Sequence, residues 1–406
     1  MNEMLPVSEA IRIIQEQTRR LPVESIPLTA ARGRVLAEDV IADTDLPPFD
    51  RALMDGYAVR AADTIGAPVR LRIVGEAAAG RGFRRGTLQA GEAVRIMTGA
   101  PVPAGANGVQ QVEVTREIDG GAMVEIDKPV AVGQFISEQA TEVRCGATVR
   151  RAGKTINAAM LAALASFGYA RVRVGARPRV AVLATGTELV PVEDQPGADQ
   201  IRDSNSYSLL GYAEAAGARV ELLPFASDDS ELLQQLILES AARCDALILS
   251  GGVSMGIYDF TKTALGALGA EIFFERVSLR PGKPTVFARL GDTLIFGLPG
   301  NPVSVSVTFN LFARTALRRM QGDSQAALVE EHAVLNRAAK GAAGRASYLP
   351  ARLLTGEDGR LVAEVLRWSG SSDFVAFTQA TALVIVPESV RLLDAGAVVR
   401  IVRLPE

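Results

Sequence analysis

The spacing of apolar residues divides the chain into segments with different periodicities. Apolar residues at helical spacing predict a surface helix over residues 7–20. Short β-prone runs separated by Gly and Pro, such as 69–74 and 108–114, predict a β-rich segment from about 46 to 141. An Ala-rich helix over 155–167 and an alternating strand over 169–174 are assigned to the N-terminal part. The β-rich segment is therefore interpreted as an insertion.

A second rhythm begins at Arg177-Pro178, where strands that are apolar on both faces alternate with helices. The predicted strands are 180–183, 220–223, 246–249, 271–277, 285–289 and 293–297, and the predicted helices are 205–217, 229–242, 260–268 and 302–319. Such strands are typical of a parallel sheet that is covered on both sides, the doubly wound α/β pattern. Beyond Gly322, short strands with turn signals predict a C-terminal β barrel or sandwich.

These boundaries predict an α/β plus β fold with several domains. At 406 residues the chain is too long for one compact core, and about two to four domains are expected. The ranges are 1–45 together with 142–174, the β-rich insertion 46–141, the α/β segment 175–322 and the C-terminal β segment 323–406.

Composition narrows the function classes. The formal net charge is −3 and aromatic residues make up 5%, so nucleic-acid binding is disfavoured. His332 is the single histidine and Cys145 and Cys244 are the two cysteines, too few for a zinc, copper or haem site within one chain. A bound metal would be a hard, oxygen-liganded ion such as Mg²⁺. Without an apolar run of about 18 residues or a signal core, we expect no membrane span and a cytoplasmic location.

Three predicted strand ends carry small residues that lead towards helices. They are Thr185-Gly186-Thr187-Glu188, Ser250-Gly251-Gly252-Val253-Ser254 and Leu298-Pro299-Gly300-Asn301-Pro302. Ligands of open parallel sheets bind outside the carboxyl ends of the strands, where backbone N–H groups and helix dipoles favour anions. One such loop alone is weak evidence, because glycine after a strand is often a turn requirement. Three together favour a phosphate or carboxylate site.

Acidic residues accompany these loops: Glu188, Asp228 with Asp229, and Asp259. Carboxylates around a phosphate would repel it unless a cation lies between them, which suggests bridging Mg²⁺. Helix capping is the favoured role for Asp228 or Asp229, and for Asp259 capping and metal binding both remain open. No capping role suggests itself for Glu188.

Other loops are ambiguous by physical reasoning alone. The turn 280–284 carries Arg280 and Lys283, which suit anion binding but equally suit a solvated turn. The segments 49–59, with Asp55, and 96–103, with Thr98, are favoured as merely structured loops.

Taken together, the motifs resemble the MoeA family of molybdopterin molybdenumtransferases, which is related to the E domain of gephyrin. The matching segments follow the family's order: 54–59, 96–103, 185–189, 250–254 with 259–262, 281–284 and 297–304. The single-domain MogA-like adenylyltransferases share the loops at 185 and 250. Such a domain would leave the first 170 residues and the C-terminal β segment unexplained.

The resemblance implies an enzyme of molybdenum cofactor biosynthesis. Its substrates would be adenylylated molybdopterin and molybdate, its products molybdenum cofactor and AMP, and Mg²⁺ would be required. It implies an elongated chain with a MogA-like central domain, numbered III, and a homodimer whose cleft lies between domain III of one subunit and domain II of the other. A MogA-like enzyme and molybdoenzyme chaperones are further candidate partners.

The resemblance also implies roles for individual residues. Asp55 and Thr98 would come from the partner's side of the cleft, Glu188, Asp228 and Asp259 would serve phosphate, metal and pterin, and Lys283 would hold oxyanions. The catalytic set would be Asp55, Thr98, Glu188, Asp259 and Lys283. Further substrate-binding candidates are Thr185, Gly186, Asp228, Ser250, Gly251, Gly252, Ser254, Lys262, Arg280, Pro299, Gly300, Asn301, Pro302 and Ser371.

The chain departs from the family's pattern at three places. The segment 137–142 reads Ser-Glu-Gln-Ala-Thr-Glu where an Arg and an Asp are usual, Arg51-Ala52-Leu53 replaces a usual Asn-Ser, and Arg280 replaces a Lys. The altered segment 137–142 keeps one alternative open, a molybdopterin-binding scaffold without turnover. An adenylyltransferase of the MogA type is a further alternative.

Overall fold

The computed structural model describes residues 4–225, 230–252 and 260–405. The chain forms two compact units. The larger unit comprises Met1–Glu38, Ala152–Leu161 and Arg171–Glu406, and the inserted unit comprises Asp39–Arg151 and Ala162–Ala170. The inserted unit thus extends beyond the predicted 46–141 segment at both ends, and the division into four domains stays a prediction.

The described residues contain eight α-helices: α1 (Val7–Gln17), α2 (Ala158–Ser166), α3 (Asn205–Ala215), α4 (Ser230–Ala241), α5 (Phe260–Ala267), α6 (Pro302–Thr308), α7 (Arg314–Met320) and α8 (Phe374–Phe377). A π-helical turn, Phe309–Ala313, joins α6 to α7, so the helix predicted over 302–319 is one element with a local distortion. No helix among residues 4–225, 230–252 and 260–405 is both long and apolar enough to cross a bilayer.

Strands make up much of the remainder. Up to residue 150 they are β1 (Val23–Pro27), β2 (Val40–Ile41), β3 (Arg51–Ala52), β4 (Gly56–Val59), β5 (Val69–Ala77), β6 (Glu92–Ile96), β7 (Gly108–Gln111), β8 (Thr115–Ile118), β9 (Met123–Ile126), β10 (Ile136–Ser137) and β11 (Thr148–Arg150). Next come β12 (Arg171–Gly175), β13 (Arg179–Ala184), β14 (Leu189–Val190), β15 (Ile201–Arg202), β16 (Arg219–Leu222), β17 (Ala246–Ser250), β18 (Glu271–Arg276), β19 (Leu279–Arg280), β20 (Pro284–Leu290) and β21 (Thr293–Leu298). The last are β22 (Glu330–Leu335), β23 (Ala339–Lys340), β24 (Ala346–Thr355), β25 (Leu361–Val365), β26 (Ala382–Val386), β27 (Leu392–Leu393) and β28 (Val398–Arg403).

The inserted unit is built on a six-stranded sheet in the order β7-β4-β6-β5-β9-β8. Its two faces bury separate apolar clusters, one around Ile96 and Val109 and the other around Tyr57 and Ile126. The strand predicted over 108–114 is wrong at its end, because Val112–Val114 forms a 3-10 turn. The N–H of Val112 still donates to the carbonyl oxygen of Asp55 at 3.0 Å, one residue beyond the last pair of the ladder, and the chain turns away after it.

The central sheet of the larger unit has the order β16-β13-β17-β21-β20-β18. The first four strands are parallel, and β20 and β18 complete the sheet in antiparallel pairings. Alternate residues of β13 face different clusters: Val180 and Val182 pack with α3 and with the helix from α6 to α7, whereas Ala181 and Leu183 pack with α4 and α5. The predicted sheet with helices on both faces is thereby confirmed.

The C-terminal segment closes into a barrel. Strands pair in the order β24-β25-β22-β28-β26, and a further pairing of β26 with β24 closes the ring of five strands. The short strand β19 pairs with β24 at Leu279 and Arg280, so the barrel is joined to the segment between strands β18 and β20 of the central sheet. Of the two architectures left open by the sequence, the barrel is the observed one.

Candidate functional site

The three glycine-bearing loops meet at one edge of the central sheet. Strands β13, β17 and β21 are adjacent and parallel, so their carboxyl ends lie side by side. Backbone hydrogen bonds continue past the strands: the N–H of Thr185 donates to the oxygen of Ser250 at 2.8 Å, and the N–H of Gly251 to that of Leu298 at 3.1 Å. Residues 184–188, 250–252 and 298–302 are called the glycine cradle below.

Close approach explains why glycines stand in the cradle. Gly251 has φ +94°, and a Cβ atom there would lie 2.4 Å from the backbone oxygen of Thr185. A Cβ atom on Gly252, at φ +65°, would lie 2.8 Å from Oγ1 of Thr261 and 3.0 Å from Oγ1 of Thr185. Since L side chains avoid positive φ, both positions require glycine for backbone and for space. The absence of a side chain at these glycines lets the loops approach each other, so their role goes beyond forming a turn.

Three backbone N–H groups of the cradle have no partner among the described residues. The N–H groups of Gly186, Gly252 and Gly300 donate to no acceptor in the part of the chain that the structure describes. A Cβ atom on Gly300 would lie 3.7 Å from Cα of Gly251, so there is room for no more than one methyl group between these two loops at this point. Unpaired backbone N–H groups at the carboxyl edge of a parallel sheet are a site for an anionic group.

Asn205, the first residue of α3, ties the cradle together and was not predicted from the sequence. Its Nδ2 donates to Oγ of Ser250 at 2.9 Å and to the carbonyl oxygen of Gly300 at 2.7 Å. One amide therefore connects the second and third loops. The available signal was an amide residue at a helix start, which an ordinary cap explains equally well.

Glu188 is the acidic residue that the structure places at the cradle. Its side chain is exposed, and a Cβ atom on Gly186 would meet its carboxylate at 2.5 Å, so the acid lies over the first glycine turn. The other acids predicted here, Asp228 and Asp259, and also Ser254, lie outside the described residues. Among the described residues no group of three or more His, Cys, Asp or Glu side chains could hold a metal.

Ser371, which follows the barrel strands β24 and β25, contacts the third loop of the cradle. Its Oγ accepts a hydrogen bond from Nδ2 of Asn301 at 2.9 Å, and its carbonyl oxygen accepts one from the N–H of Val303 at 3.0 Å. Pro302 occupies the first position of α6, where its missing N–H is tolerated. The C-terminal segment therefore supports the cradle directly.

The turn that carries Arg280 and Lys283 lies at the same edge of the sheet. Strands β20 and β21 are antiparallel, with Val286 opposite Gly297. Continuing this register by three residues brings Lys283 level with Gly300 of the cradle. Gly282, at φ +114°, would place a Cβ atom 2.4 Å from Cγ2 of Thr308. The turn is thus held by packing, with Arg280 exposed and Lys283 half-buried.

Lys262 pairs with a carboxylate of the central sheet. On the first turn of α5, its ammonium group forms an ion pair with the carboxylate of Glu275 on β18. Its predicted contact with substrate stays a prediction.

A cavity of about 240 Å³ adjoins the cradle in the larger unit. Its lining includes Ser204, which precedes Asn205, and Pro302, which follows Asn301, together with Tyr212 and Phe374. Among the residues that the structure describes, no charged side chain lines it. Burial raises the pKa of Tyr212, so its phenol stays neutral and offers its oxygen only as a hydrogen-bonding group.

In the inserted unit, Asp55 and Thr98 are in direct contact. Oδ1 of Asp55 accepts hydrogen bonds from the N–H of Thr98 at 2.6 Å and from its hydroxyl at 2.7 Å. These bonds, the backbone one first, hold the pKa of Asp55 below its ordinary value of 3.8, since they favour the ionised form. The two predicted residues therefore form one exposed, negatively charged unit.

Two of the three places at which the chain departs from the family's pattern, 51–53 and 137–142, are in contact with each other, on the strand that leads into the loop of Asp55. In the register of β3 with β10, Ser137 is opposite Arg51. A terminal nitrogen of Arg51 donates to Oε1 of Glu142 at 3.1 Å. Arg51, Asp55, Thr98 and Glu142 are called the Asp55 cluster below.

Comparisons with known proteins cover nearly the whole chain. Three family models match in order: "MoeA N-terminal region (domain I and II)" over residues 5–168, "Probable molybdopterin binding domain" over 181–319 and "MoeA C-terminal region (domain IV)" over 332–404. The middle match contains all three loops of the cradle, and the first contains the Asp55 cluster.

Full-length relatives agree with these models. The chain is 33% identical to the molybdopterin molybdenumtransferase of Bacillus subtilis, over 99% of this chain and 94% of the relative. It is 37% identical to molybdopterin molybdenumtransferase 2 of Mycobacterium tuberculosis, over 97% and 98%. The crystal structure of the molybdopterin biosynthesis MoeA protein from Pyrococcus horikoshii OT3 aligns with a TM-score of 0.84 at 29% identity, over 99% and 100% of the two chains.

Proposed function

Because the chain belongs to the MoeA family, we propose that it inserts molybdenum from molybdate into adenylylated molybdopterin and releases AMP, a step of molybdenum cofactor biosynthesis. The main support for this proposal is the convergence of the three cradle loops. It forms one anion-binding site inside the segment matched by the molybdopterin-binding model. The full-length match to molybdopterin molybdenumtransferases supports the choice of a transferase.

The cradle binds the phosphate groups of the substrate in this proposal. The N–H groups of Gly186, Gly252 and Gly300 donate to phosphate oxygens, and Asn205 keeps the second and third loops in register. Fixed donors aimed at a charged group need no reorganisation during the reaction, which is how preorganised sites lower a barrier. A water oxygen then bonds to one phosphorus of the phosphoanhydride as the bridging P–O bond breaks, so that AMP leaves, the other phosphate stays on molybdopterin, and the protons of the water pass to solvent.

Mg²⁺ fits the chemistry of the donors at the cradle. Mg²⁺ is usually held by one or two carboxylates together with substrate phosphates and waters. Glu188 offers such a carboxylate, since its side chain accepts no hydrogen bond from the described residues. When bound, Mg²⁺ would neutralise charge on the phosphates. The position of Glu188 over the first glycine turn would place the ion beside the phosphates that the cradle binds.

The turn at 280–284 and Ser371 supply contacts for molybdate in this proposal. Lys283 stands at the edge of the sheet that carries the cradle, and Arg280 lies beside the barrel strand β24. Ser371 contacts Asn301 in the third loop. Cations and hydroxyls of this kind bind tetrahedral oxyanions through charge-assisted hydrogen bonds.

Turnover with purified substrates tests the proposed function. The protein would be mixed with adenylylated molybdopterin, molybdate and Mg²⁺, and AMP release would be followed together with molybdenum bound to the pterin. We expect both products in equal amounts. Ligand binding without AMP would indicate a scaffold, and consumption of ATP with molybdopterin would indicate a MogA-type adenylyltransferase; either result would overturn the proposal.

We further propose that two copies of the chain share each active site, with the Asp55 cluster of one copy facing the cradle of the other. Phe49, Leu53 and Met54 next to Asp55 are exposed apolar residues, which is typical of an interaction surface. Mixing Glu188→Ala and Asp55→Ala proteins after dissociation tests this. Partial recovery of AMP release is expected, and no recovery in a mixed dimer of confirmed composition would contradict the shared site.

A further inference from the structure

Arg51 is the cation of the Asp55 cluster. Its side chain is 37% exposed and that of Glu142 is 53% exposed, so the pair borders solvent. A guanidinium group carries five N–H donors. One of the terminal nitrogens of Arg51 donates to Glu142, and no other hydrogen bond of its guanidinium reaches an acceptor in the described residues. Most of its donors are therefore open to a ligand.

Backbone pairing joins the strand of Arg51 to the loop that carries Thr98, the partner of Asp55. Strand β3 pairs with β10 on one side, and Arg51 bridges to Pro101 on the other. The loop of Thr98 is tied to the neighbouring Ala52 by two hydrogen bonds, from Ala52 N–H to Ala100 oxygen at 3.0 Å and from Gly99 N–H to Ala52 oxygen at 2.8 Å. Ala52 is buried, which anchors the strand that carries Arg51.

Charge gives Arg51 a role that Asp55 cannot fill. The two hydrogen bonds from Thr98 favour the ionised carboxylate of Asp55, which repels an anionic substrate. The guanidinium of Arg51, on the strand that leads into the loop of Asp55, brings a positive charge to the cluster, and its planar donors match the oxygens of a tetrahedral oxyanion. Glu142 binds one end of the group and so limits its orientation.

We propose that Arg51 binds a tetrahedral oxyanion of the substrates, phosphate or molybdate, and that Glu142 positions it. The proposal rests on the proposed function, because it takes the Asp55 cluster to face the substrate. The alternative is that Arg51 and Glu142 form an exposed ion pair with no role in binding. Exposed ion pairs of this kind contribute little to the free energy of unfolding.

The test compares Arg51→Gln and Arg51→Lys with a matched control, Arg70→Gln. Arg70 is also exposed and also pairs with a carboxylate in the inserted unit, that of Glu125 at 3.0 Å. AMP release would be measured against molybdate concentration at saturating adenylylated molybdopterin, and then with the two exchanged. Thermal unfolding of each variant would confirm that it is folded.

We expect Arg51→Gln to raise the KM for one substrate at least about tenfold, as loss of a charge-assisted hydrogen bond implies. A rise for molybdate identifies molybdate as the bound oxyanion, and a rise for adenylylated molybdopterin identifies its phosphate. Arg51→Lys should recover part of the loss, Glu142→Gln should show a smaller rise, and Arg70→Gln should match the unaltered protein.

Equal KM values for Arg51→Gln and Arg70→Gln on both substrates would overturn the role of Arg51 while leaving the proposed function intact. If the unaltered protein releases no AMP, the proposed function fails instead. Calorimetric titration with molybdate and with adenylylated molybdopterin then still decides on Arg51. Weaker binding in Arg51→Gln supports the inference, and unchanged dissociation constants overturn it.

Discussion

The glycine cradle and the Asp55 cluster bring groups together by different means. In the cradle, backbone atoms and buried small residues meet: Thr185 is 6% exposed and Ser250 is 2% exposed, and their contacts follow the ends of buried strands. In the Asp55 cluster, exposed charged side chains meet on short strands and loops. The first depends on steric room, whereas the second depends on charge.

This contrast separates folding from function. A change in the cradle alters the path of the backbone and should therefore affect stability and turnover together. A change in the Asp55 cluster leaves the fold largely untouched, because exposed ion pairs contribute little to stability. Such a change should affect turnover alone.

The largest effect is expected for Gly251→Ala. The new Cβ atom would lie 2.4 Å from a backbone oxygen at φ +94°, so the loops must separate. We expect turnover to fall about 100-fold, because small displacements of active-site groups cause losses of this size. The strained backbone conformation alone should lower the free energy of unfolding by about 1–3 kcal/mol. AMP release and thermal unfolding would measure both.

Gly266→Ala is the matched control for this change. Gly266 lies within α5 and has open space around its Cα, so alanine should leave turnover unchanged and stabilise the helix by up to about 1 kcal/mol. Normal turnover and stability in Gly251→Ala would show that the cradle is not sterically determined.

Asp55→Asn should lower turnover about 100-fold, a magnitude typical of a removed charged or polar active-site group. Its unfolding temperature should stay close to that of the unaltered protein, because the side chain is exposed. Asp127→Asn, at another exposed acid of the inserted unit, is the control and should change neither quantity. Loss of stability without loss of turnover would assign Asp55 a structural role.

Asn205→Ala tests whether one side chain holds two cradle loops together. The carbonyl oxygen of Gly300 and the hydroxyl of Ser250 would lose a donor, which costs roughly 1–3 kcal/mol where no water replaces it. We expect the KM for adenylylated molybdopterin to rise about tenfold, which corresponds to about 1.4 kcal/mol. Glu214→Gln, on the exposed face of α3, should leave the KM unchanged.

Thr98→Val should shift the pH dependence of turnover. The variant keeps the backbone bond to Asp55 but loses the hydroxyl bond, so the lowered pKa of Asp55 moves back towards 3.8. Because a depressed carboxylate pKa keeps the group ionised to lower pH, the acid limb of the profile should move to higher pH in the variant. Thr98→Ser should restore the limb, and an unmoved limb in Thr98→Val would remove Asp55 from the pH dependence.

The smallest effect is expected for the double variant Cys145→Ser with Cys244→Ser. Cys244 is buried and burial raises its pKa to about 11, so it stays a neutral thiol, and no proposed step uses a protein nucleophile. Turnover should be retained, with some stability lost where a hydroxyl replaces the buried thiol. Complete loss of AMP release in the folded variant would contradict the proposed chemistry.

Much of the architecture could be predicted, and the exceptions have physical causes. Continuous apolar runs identified the central strands, and glycines after them identified the cradle loops. The same patterns could not reveal Asn205, whose two acceptors are 45 and 95 residues away in the sequence. Nor could they show that Lys262 pairs with Glu275, because that contact depends on how α5 lies against β18.

The sequence by itself determined which segments form strands and helices, since that depends on the periodicity of apolar residues within each segment. It also limited the chemistry, since one histidine and two cysteines leave oxygen donors and backbone groups as the available ligands. Only the tertiary structure decided which loops share an edge and which charges pair. Those outcomes depend on strand order and register, which join residues far apart in the chain and leave no local pattern.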